Sequence, residues 1–231
     1  GMGESYARAT GRASFVSLHV DSGLANGIAL MLDAYNTGTP MVVTSANYDA
    51  RKVAEGKTDL AELVRPVTKW AVELTLPDQI PGAIRRAFNE ANSHPKGPVY
   101  VGFSSNCLEG SAEMNIIPSR NIHDASRPDL DGIKKASSLL KSAKHPVMIV
   151  GDRVSDDQAV EQAVELAELL GLPVYQSGGA EVSFPTDHPQ YLGLFSLGVT
   201  AHRELLKNVD LVLSVGMDVF QDVFYWGDVL S

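Results

Sequence analysis

The sequence predicts an α/β fold with two consecutive doubly wound, mainly parallel sheets. Short apolar runs alternate along the chain with amphipathic runs of helical length, which is typical of strands joined by helical crossovers. The run at residues 41–44 is apolar throughout except for its last residue, as expected of a strand covered on both faces. An aperiodic stretch rich in Gly, Pro and Asn separates two such blocks. We therefore predict domains at residues 1–104 and 129–231, joined by a linker at 105–128.

In the first block the apolar periodicity predicts three strands and three helices after a helix that ends before Gly11. The predicted strands are 15–19, 41–44 and 98–103, and the predicted helices are 24–35, 60–64 and 78–92. The last helix carries the strongest signals, because Asp78 can cap it and Pro81 falls in its first turn. Residues 67–74 are moderately apolar, and the polar stretch 47–59 is predicted to be a loop.

The second block repeats the same alternation of helices and strands. Helices are predicted at 130–142, 156–170 and 200–207, and strands at 146–150, 173–176 and 211–215. Gly151 and Gly216 each follow a strand directly. Such single-glycine turns leave a nucleotide-binding central block as a minor alternative, because no G-x-G-x-x-G or GxxxxGK[ST] loop accompanies them.

Composition excludes several classes of protein. The net charge is −9 and no segment is rich in Lys or Arg, so nucleic acid and anionic membrane surfaces are poor candidates as partners. No run of apolar residues is long enough for a membrane span, and no signal peptide is visible. Cys107 is the only cysteine, which excludes an internal disulfide or a cysteine metal cluster and fits a reducing, cytoplasmic setting.

Two histidines stand in places where chemistry is common. His19 ends a predicted strand and precedes the turn of Gly23 and Asn26 at a helix entrance, which is a frequent location of sites in open α/β sheets. His188 lies in a loop, Phe-Pro-Thr-Asp-His-Pro. A strand-end or loop histidine is more often a structural or solvated residue than a catalytic one, so the pattern alone leaves both possibilities open.

Several phrases, taken in order, resemble the family of thiamine-diphosphate-dependent decarboxylases and acetolactate synthases. In the first block these are YARATG at 6–11, GLANG at 23–27, TPMVVT at 39–44, RPVTKW at 65–70 and GPVYV at 97–101. In the second block they are HPVMIVG at 145–151 and DLVLSVG at 210–216. Within the family the likeness is strongest to the benzoylformate decarboxylases, which have a histidine after the corresponding strand and another in an FPTxHP loop.

The resemblance implies a partial pyrimidine-binding domain followed by a partial central, Rossmann-like domain. It implies that His19 and His188 are the catalytic histidines, which transfer protons around a small 2-oxo acid, and that Gly23 and Asn26 lie near the pyrimidine of the cofactor. The implied cofactors are thiamine diphosphate and Mg²⁺. No metal ligand is assigned, because Gly151–Asp152 and Gly227–Asp228 lack the rest of the family's Gly-Asp-Gly…Asn motif.

The same comparison implies that the activating glutamate and the diphosphate-binding domain lie outside this sequence. Glu4 is too close to Tyr6 to replace that glutamate. The chain is therefore expected to be inactive alone and to work with a further copy of itself or with a polypeptide that carries the diphosphate-binding domain. The alternative is a non-catalytic oligomerisation or interaction module that keeps the fold and has lost the chemistry.

Overall fold

The computed structural model describes residues 1–117, 127–178, 181–196 and 198–217. The chain divides into two compact units, Gly1–Ala125 and Ser126–Ser231. Within the described residues each unit contains one sheet of four strands, and every strand pair is parallel. The predicted fold class, two parallel-sheet α/β blocks in succession, is confirmed.

The first unit is a four-stranded sheet in the order β1-β2-β4-β3. Its strands are β1 (Ser14–Leu18), β2 (Met41–Asn47), β3 (Trp70–Leu74) and β4 (Pro98–Ser104). Its helices are α1 (Met2–Thr10), α2 (Ser22–Thr37), α3 (Ala50–Ala54), α4 (Leu60–Val64), α5 (Ile80–Asn92) and α6 (Ser105–Glu109). The order places β2 and β4 at the centre, where both are almost wholly buried.

Two apolar layers cover the two faces of this sheet. On one face Met41, Val43 and Tyr100 pack with side chains of α2 and α4. On the other face Val42 and Val99 pack with the apolar side of α5 and with α6. Because successive residues of a strand point to opposite faces, this burial explains why the central strands are apolar at consecutive positions.

The second unit has the strand order β7-β6-β5-β8. Its strands are β5 (Pro146–Val150), β6 (Val174–Ser177), β7 (Tyr191–Phe195) and β8 (Leu211–Val215). Its helices are α7 (Leu130–Ser142), α8 (Asp152–Asp156), α9 (Val160–Leu170) and α10 (Thr200–Leu206). One face of this sheet packs against α9 and the Phe184 ring, and the other packs against α10.

Some elements of the fold differ from the prediction, and two of these differences lie in the first unit. The predicted loop 47–59 contains α3. The predicted linker 105–128 begins with α6, whose Cys107 is buried and whose Asn106 side chain donates to Thr75 O at 2.5 Å and accepts from Ala50 N at 3.0 Å. These are tertiary bonds, which leave no periodic signal in the sequence.

The other two differences lie in the second unit. The predicted helix 156–170 begins four residues later, as α9 at Val160, because Gln158 at φ 56° interrupts the helical backbone; Asp156 instead ends a separate short helix, α8, which was not predicted. Strand β7 was not predicted, since Gly193 at φ 105° interrupts it and its alternate side chains are exposed. In the part of the chain that the structure describes, no helix is both long and apolar enough to cross a lipid bilayer.

Candidate functional site at the carboxyl end of the first sheet

His19 follows the last residue of β1 and begins the turn into α2. The turn is held by backbone bonds, from Leu24 N to His19 O at 2.9 Å and from Gly23 N to Val20 O at 3.2 Å. Asp21 adopts φ 51°, which is unusual for a residue with a side chain. The carboxyl ends of the parallel strands meet at this edge, so the turn places His19 where ligands commonly bind in open α/β sheets.

Gly23 is required by the close approach of α2 to His19. A Cβ atom at Gly23 would lie 2.5 Å from His19 Cβ, which is closer than two carbon atoms can pack. A Cβ atom at Gly27, one turn further along, would lie 2.6 Å from Leu18 Cδ1. Two glycines four residues apart therefore allow α2 to approach the end of β1 closely, and the first of them sets the position of the His19 side chain.

The imidazole of His19 is exposed and faces solvent at the sheet edge. Its Nδ1 lies 3.2 Å from Val20 O. A carbonyl oxygen only accepts, so this bond requires the proton on Nδ1 and leaves Nε2 as the acceptor nitrogen. Asn26 is also exposed, one helical turn after Gly23. The structure thus brings His19 and Gly23 into contact and leaves Asn26 accessible nearby on α2.

Replacing Gly23 with alanine is expected to lower the free energy of unfolding by about 2 kcal/mol, the usual cost of forcing extra volume into a packed position. The matched control is Gly82→Ala in α5, where a Cβ atom meets nothing within 4 Å. That change should raise the free energy of unfolding by about 0.5–1 kcal/mol through helix propensity. Urea denaturation of both variants checks the pair, and equal effects at the two positions would contradict the crowding at His19.

Sequence reasoning missed a buried carboxyl group near the carboxyl end of β3, the outer strand on the opposite side of the sheet from β1. Glu73 on β3 pairs in register with Gly102 on β4, and a Cβ atom at Gly102 would overlap the Glu73 carboxyl group. Both carboxyl oxygens are buried without a hydrogen bond of good geometry, although the nearby Asn47 amide lowers the pKa in part. Burial dominates and raises the pKa of Glu73 to about 7, with a smaller contribution from the charge of Asp59.

The groups around Glu73 are polar and equally buried. Tyr100 Oη lies 2.8 Å from Ser45 Oγ, and burial raises the pKa of the Tyr100 phenol, with the charge of Glu73 as a further cause. Asn47 is 4% exposed, and its Nδ2 is buried without a hydrogen bond of good geometry. The only sign of this buried group in the sequence is a glutamate in a moderately apolar segment. The pairing of Glu73 with Gly102 could not be predicted, because it depends on β3 lying beside β4.

The free energy of unfolding is expected to fall as the pH rises from about 4.5 to about 7. In that window the folded chain keeps the Glu73 proton while the unfolded chain has released it, so deprotonation favours unfolding. We expect a fall of about 2 kcal/mol after allowance for the water that still reaches the side chain. Denaturation at several pH values measures it. Glu73→Gln should flatten the dependence, whereas Glu109→Gln, at an exposed carboxyl group, should not; an unchanged slope in Glu73→Gln would exclude Glu73 as its source.

His188 belongs to the second unit. It lies in the turn before β7, where its side chain is 15% exposed. Its Nδ1 accepts from Gln190 N at 3.2 Å, and its Nε2 lies 3.3 Å from Glu168 Oε1. The Phe184 ring meets the imidazole edge to face, with 5.2 Å between the ring centroids. Both ring nitrogens of His188 therefore have a polar partner within the second unit.

The two glycine turns of the second unit pack against each other. A Cβ atom at Gly151 would lie 2.7 Å from Gly216 O, and one at Gly216 would lie 2.7 Å from Val154 N. Asp152 Oδ1 accepts from Glu181 N at 3.2 Å. Backbone packing thus accounts for both glycines without a nucleotide.

Among the described residues, no group of three or more His, Cys, Asp or Glu side chains is placed to hold a metal ion. The second Gly-Asp sequence of the chain, at residues 227–228, lies outside the described residues. The exposed His19 and Asn26 side chains offer an acceptor nitrogen and an amide, which are groups that could bind a pyrimidine such as that of thiamine diphosphate, whereas the described residues hold no cluster of three or more His, Cys, Asp or Glu side chains for the metal of its diphosphate.

Comparison with known proteins identifies the family. Residues 1–65 match the model of the thiamine pyrophosphate enzyme N-terminal TPP binding domain, and residues 133–229 match that of the thiamine pyrophosphate enzyme central domain. The chain is 28% identical to benzoylformate decarboxylase from Pseudomonas aeruginosa, over 96% of this chain and 43% of that protein. It is 28% identical to acetolactate synthase from Mycobacterium leprae, over 91% of this chain and 35% of that protein.

Solved structures agree. The 4-hydroxybenzoylformate decarboxylase of Rhodococcus jostii superposes with a TM-score of 0.87 and 31% identity, over 97% of this chain and 44% of that one. Benzoylformate decarboxylase from Polynucleobacter necessarius gives 0.80 and 25%. The chain thus spans less than half the length of these relatives, and it belongs to the family of thiamine-diphosphate-dependent enzymes, with the predicted likeness to benzoylformate decarboxylases confirmed.

Proposed function

We propose that the chain is part of an enzyme that decarboxylates a small 2-oxo acid with thiamine diphosphate, and that His19 is a proton-transferring residue of the site. The observation that carries the proposal is the exposed imidazole at the carboxyl end of β1, held there by the contact of Gly23 with its Cβ atom. The relatives named for benzoylformate and 4-hydroxybenzoylformate support an aromatic 2-oxo acid as the first substrate to test.

The residues of this chain would act by binding, orienting and moving protons. Gly23 and Asn26 would lie against the pyrimidine side of the cofactor, and His19 Nε2 would accept or return a proton at the substrate. His188 would supply the second proton-transferring group. Thiamine diphosphate, when bound, supplies the electron sink for decarboxylation. An imidazole suits this task because its ordinary pKa is close to neutral pH.

The proposal also covers the two domains, the metal and the cellular compartment. Residues 1–104 would be part of the pyrimidine-binding domain and residues 129–231 part of the central domain. The chain would work with a further copy of itself or with a polypeptide that carries the diphosphate-binding domain, and that domain would hold Mg²⁺ and the cofactor diphosphate. The buried free thiol of Cys107 fits a reducing, cytoplasmic compartment.

The second candidate is a non-catalytic oligomerisation or interaction module. Large apolar side chains are exposed on α2, namely Leu30, Leu32 and Tyr35, and exposed apolar surface of this kind often marks a protein interface. Sedimentation of the chain as a clean monomer at all concentrations would remove the support for this candidate.

A hybrid enzyme tests the catalytic proposal. The chain would replace the corresponding 44% of the Rhodococcus jostii enzyme, and release of CO₂ from benzoylformate would be measured with and without thiamine diphosphate and Mg²⁺. We expect turnover that depends on both. A hybrid that folds and binds thiamine diphosphate by calorimetry, yet releases no CO₂ from either aromatic 2-oxo acid, would contradict the proposal and leave the interaction module as the better account.

A further inference from the structure

We propose that Gln190 and Glu168 are positioning residues that fix the His188 imidazole with its proton on Nε2. The proposal deepens the proposed function and rests on it, since positioning matters only if His188 transfers protons. The contacts themselves lie wholly within the second unit. They are the hydrogen bonds of His188, Gln190 and Glu168 and the packing of Phe184 on the ring.

Gln190 determines which nitrogen of His188 carries the proton. Its backbone N–H donates to His188 Nδ1 at 3.2 Å, and an amide N–H cannot accept. Nδ1 must therefore be the unprotonated nitrogen, which places the proton of the neutral ring on Nε2. Exchange of a proton with any ligand is consequently confined to Nε2.

Gln190 is itself firmly anchored. Its side-chain Nε2 donates to Ala167 O at 2.8 Å and to Leu172 O at 2.9 Å. Its backbone carbonyl oxygen accepts from Val174 N at 2.8 Å. These bonds tie the turn before β7 to the end of α9 and to the start of β6. Three hydrogen bonds therefore fix Gln190, whose backbone N–H donates to His188 Nδ1.

Glu168 is the partner of the protonated nitrogen. Its Oε1 lies 3.3 Å from His188 Nε2, and its side chain is 62% exposed. Glu168 stands in the last turn of α9, where a carboxylate is opposed by the helix dipole. Helix stability thus does not explain a glutamate at this position, whereas its contact with the Nε2–H group does.

Together these contacts give the two histidines of the chain opposite roles. His19 donates to a carbonyl oxygen through Nδ1 and leaves Nε2 as an acceptor, whereas His188 accepts an amide N–H at Nδ1 and carries its proton on Nε2, where Glu168 Oε1 accepts it. The surrounding backbone fixes this difference, which suits one histidine to take up a proton and the other to deliver one.

Nuclear magnetic resonance of the ¹⁵N-labelled chain tests the proposal without cofactor or substrate. At about pH 8, where an unperturbed imidazole is neutral, we expect a scalar coupling across the hydrogen bond between the Gln190 amide nitrogen and His188 Nδ1. We also expect exchange of the Nε2 proton with water to become about fivefold faster in Glu168→Ala, the factor for loss of one hydrogen bond of ordinary net strength. Glu168→Gln, which keeps an acceptor oxygen, should restore slow exchange, and Glu165→Gln on the same helix should change nothing.

The outcomes separate the two parts of the proposal from each other and from the proposed function. A proton on Nδ1 of His188 would overturn the assigned tautomer, and equal exchange in Glu168→Ala and the unchanged chain would overturn the role of Glu168. If Glu168→Ala does not fold, Glu168→Asp replaces it, because it keeps the charge and withdraws the carboxylate; faster exchange is again expected, and unchanged exchange again overturns the role. An inactive hybrid enzyme would refute the proposed function while leaving these spectra as they are.

Discussion

Replacing His19 with alanine in the hybrid enzyme is expected to lower kcat/KM for decarboxylation by about 10²–10⁴-fold, the usual contribution of a positioned acid–base group. The effect should be on activity alone, because the imidazole is exposed and makes its hydrogen bond to a carbonyl of the adjacent residue. Thermal unfolding of the variant should therefore match that of the parent. Steady-state assays with benzoylformate measure the loss.

The matched control is His145→Ala, which removes another exposed histidine, directly before β5. Its kcat/KM should equal that of the parent hybrid. A loss of less than about tenfold in His19→Ala would show that the residue is not the proton-transferring group, given the range typical of such groups. Equal losses in both variants would point to a general effect of the substitutions on folding.

Replacing Gly216 with alanine is expected to lower the free energy of unfolding of the second unit by about 3 kcal/mol. Two costs add: Gly216 has φ 68°, a left-handed conformation that costs an L-residue about 1 kcal/mol, and the new Cβ atom would lie 2.7 Å from Val154 N. The obstacle is backbone rather than a flexible side chain, so β8 and α8 would have to move apart, at a further cost of about 2 kcal/mol.

Gly171 provides the control for this prediction. It has φ 63°, and a Cβ atom there would meet nothing within 4 Å. Gly171→Ala should therefore cost about 1 kcal/mol, the conformational part alone. Chemical denaturation of the two variants separates crowding from conformation. If the free energy of unfolding falls by the same amount in both variants, packing does not require the glycine at 216, and a bound ligand would be the better explanation for it.

Much of the fold could be predicted because it depends on local patterns. The helices at 60–64 and 130–142 and the strands at 146–150 and 211–215 have the predicted bounds, since apolar periodicity and caps mark them in the sequence itself. The short helices α3, α6 and α8 could not be predicted, because they depend on contacts rather than on a local pattern. The bonds of Asn106 to two distant backbone groups, for example, join residues that are far apart in the chain.

Only some residues of the candidate site could likewise be predicted from local sequence. His19 and Gly23 could be singled out because they are neighbours in sequence and the turn that joins β1 to α2 is local. Glu73 could not, because its burial comes from the parallel pairing that brings β3 beside Gly102 of β4, and a glutamate in a strand is more often solvated than buried. The sequence gives no reason for Gly27 beyond its place in the GLANG phrase, whereas in the structure a Cβ atom there would lie 2.6 Å from Leu18 Cδ1.

The sequence by itself determined the fold class, the family and the identity of the histidines that we propose for proton transfer, because these follow from periodicity and from short contiguous motifs. The tertiary structure alone decided the environment of those residues. It buried a carboxyl group with a pKa of about 7 near the carboxyl end of β3 in the same sheet as β1, and it gave His19 and His188 opposite hydrogen bonds at Nδ1. Protonation depends on burial and on the partners of each atom, and both are set by residues that meet only when the chain folds.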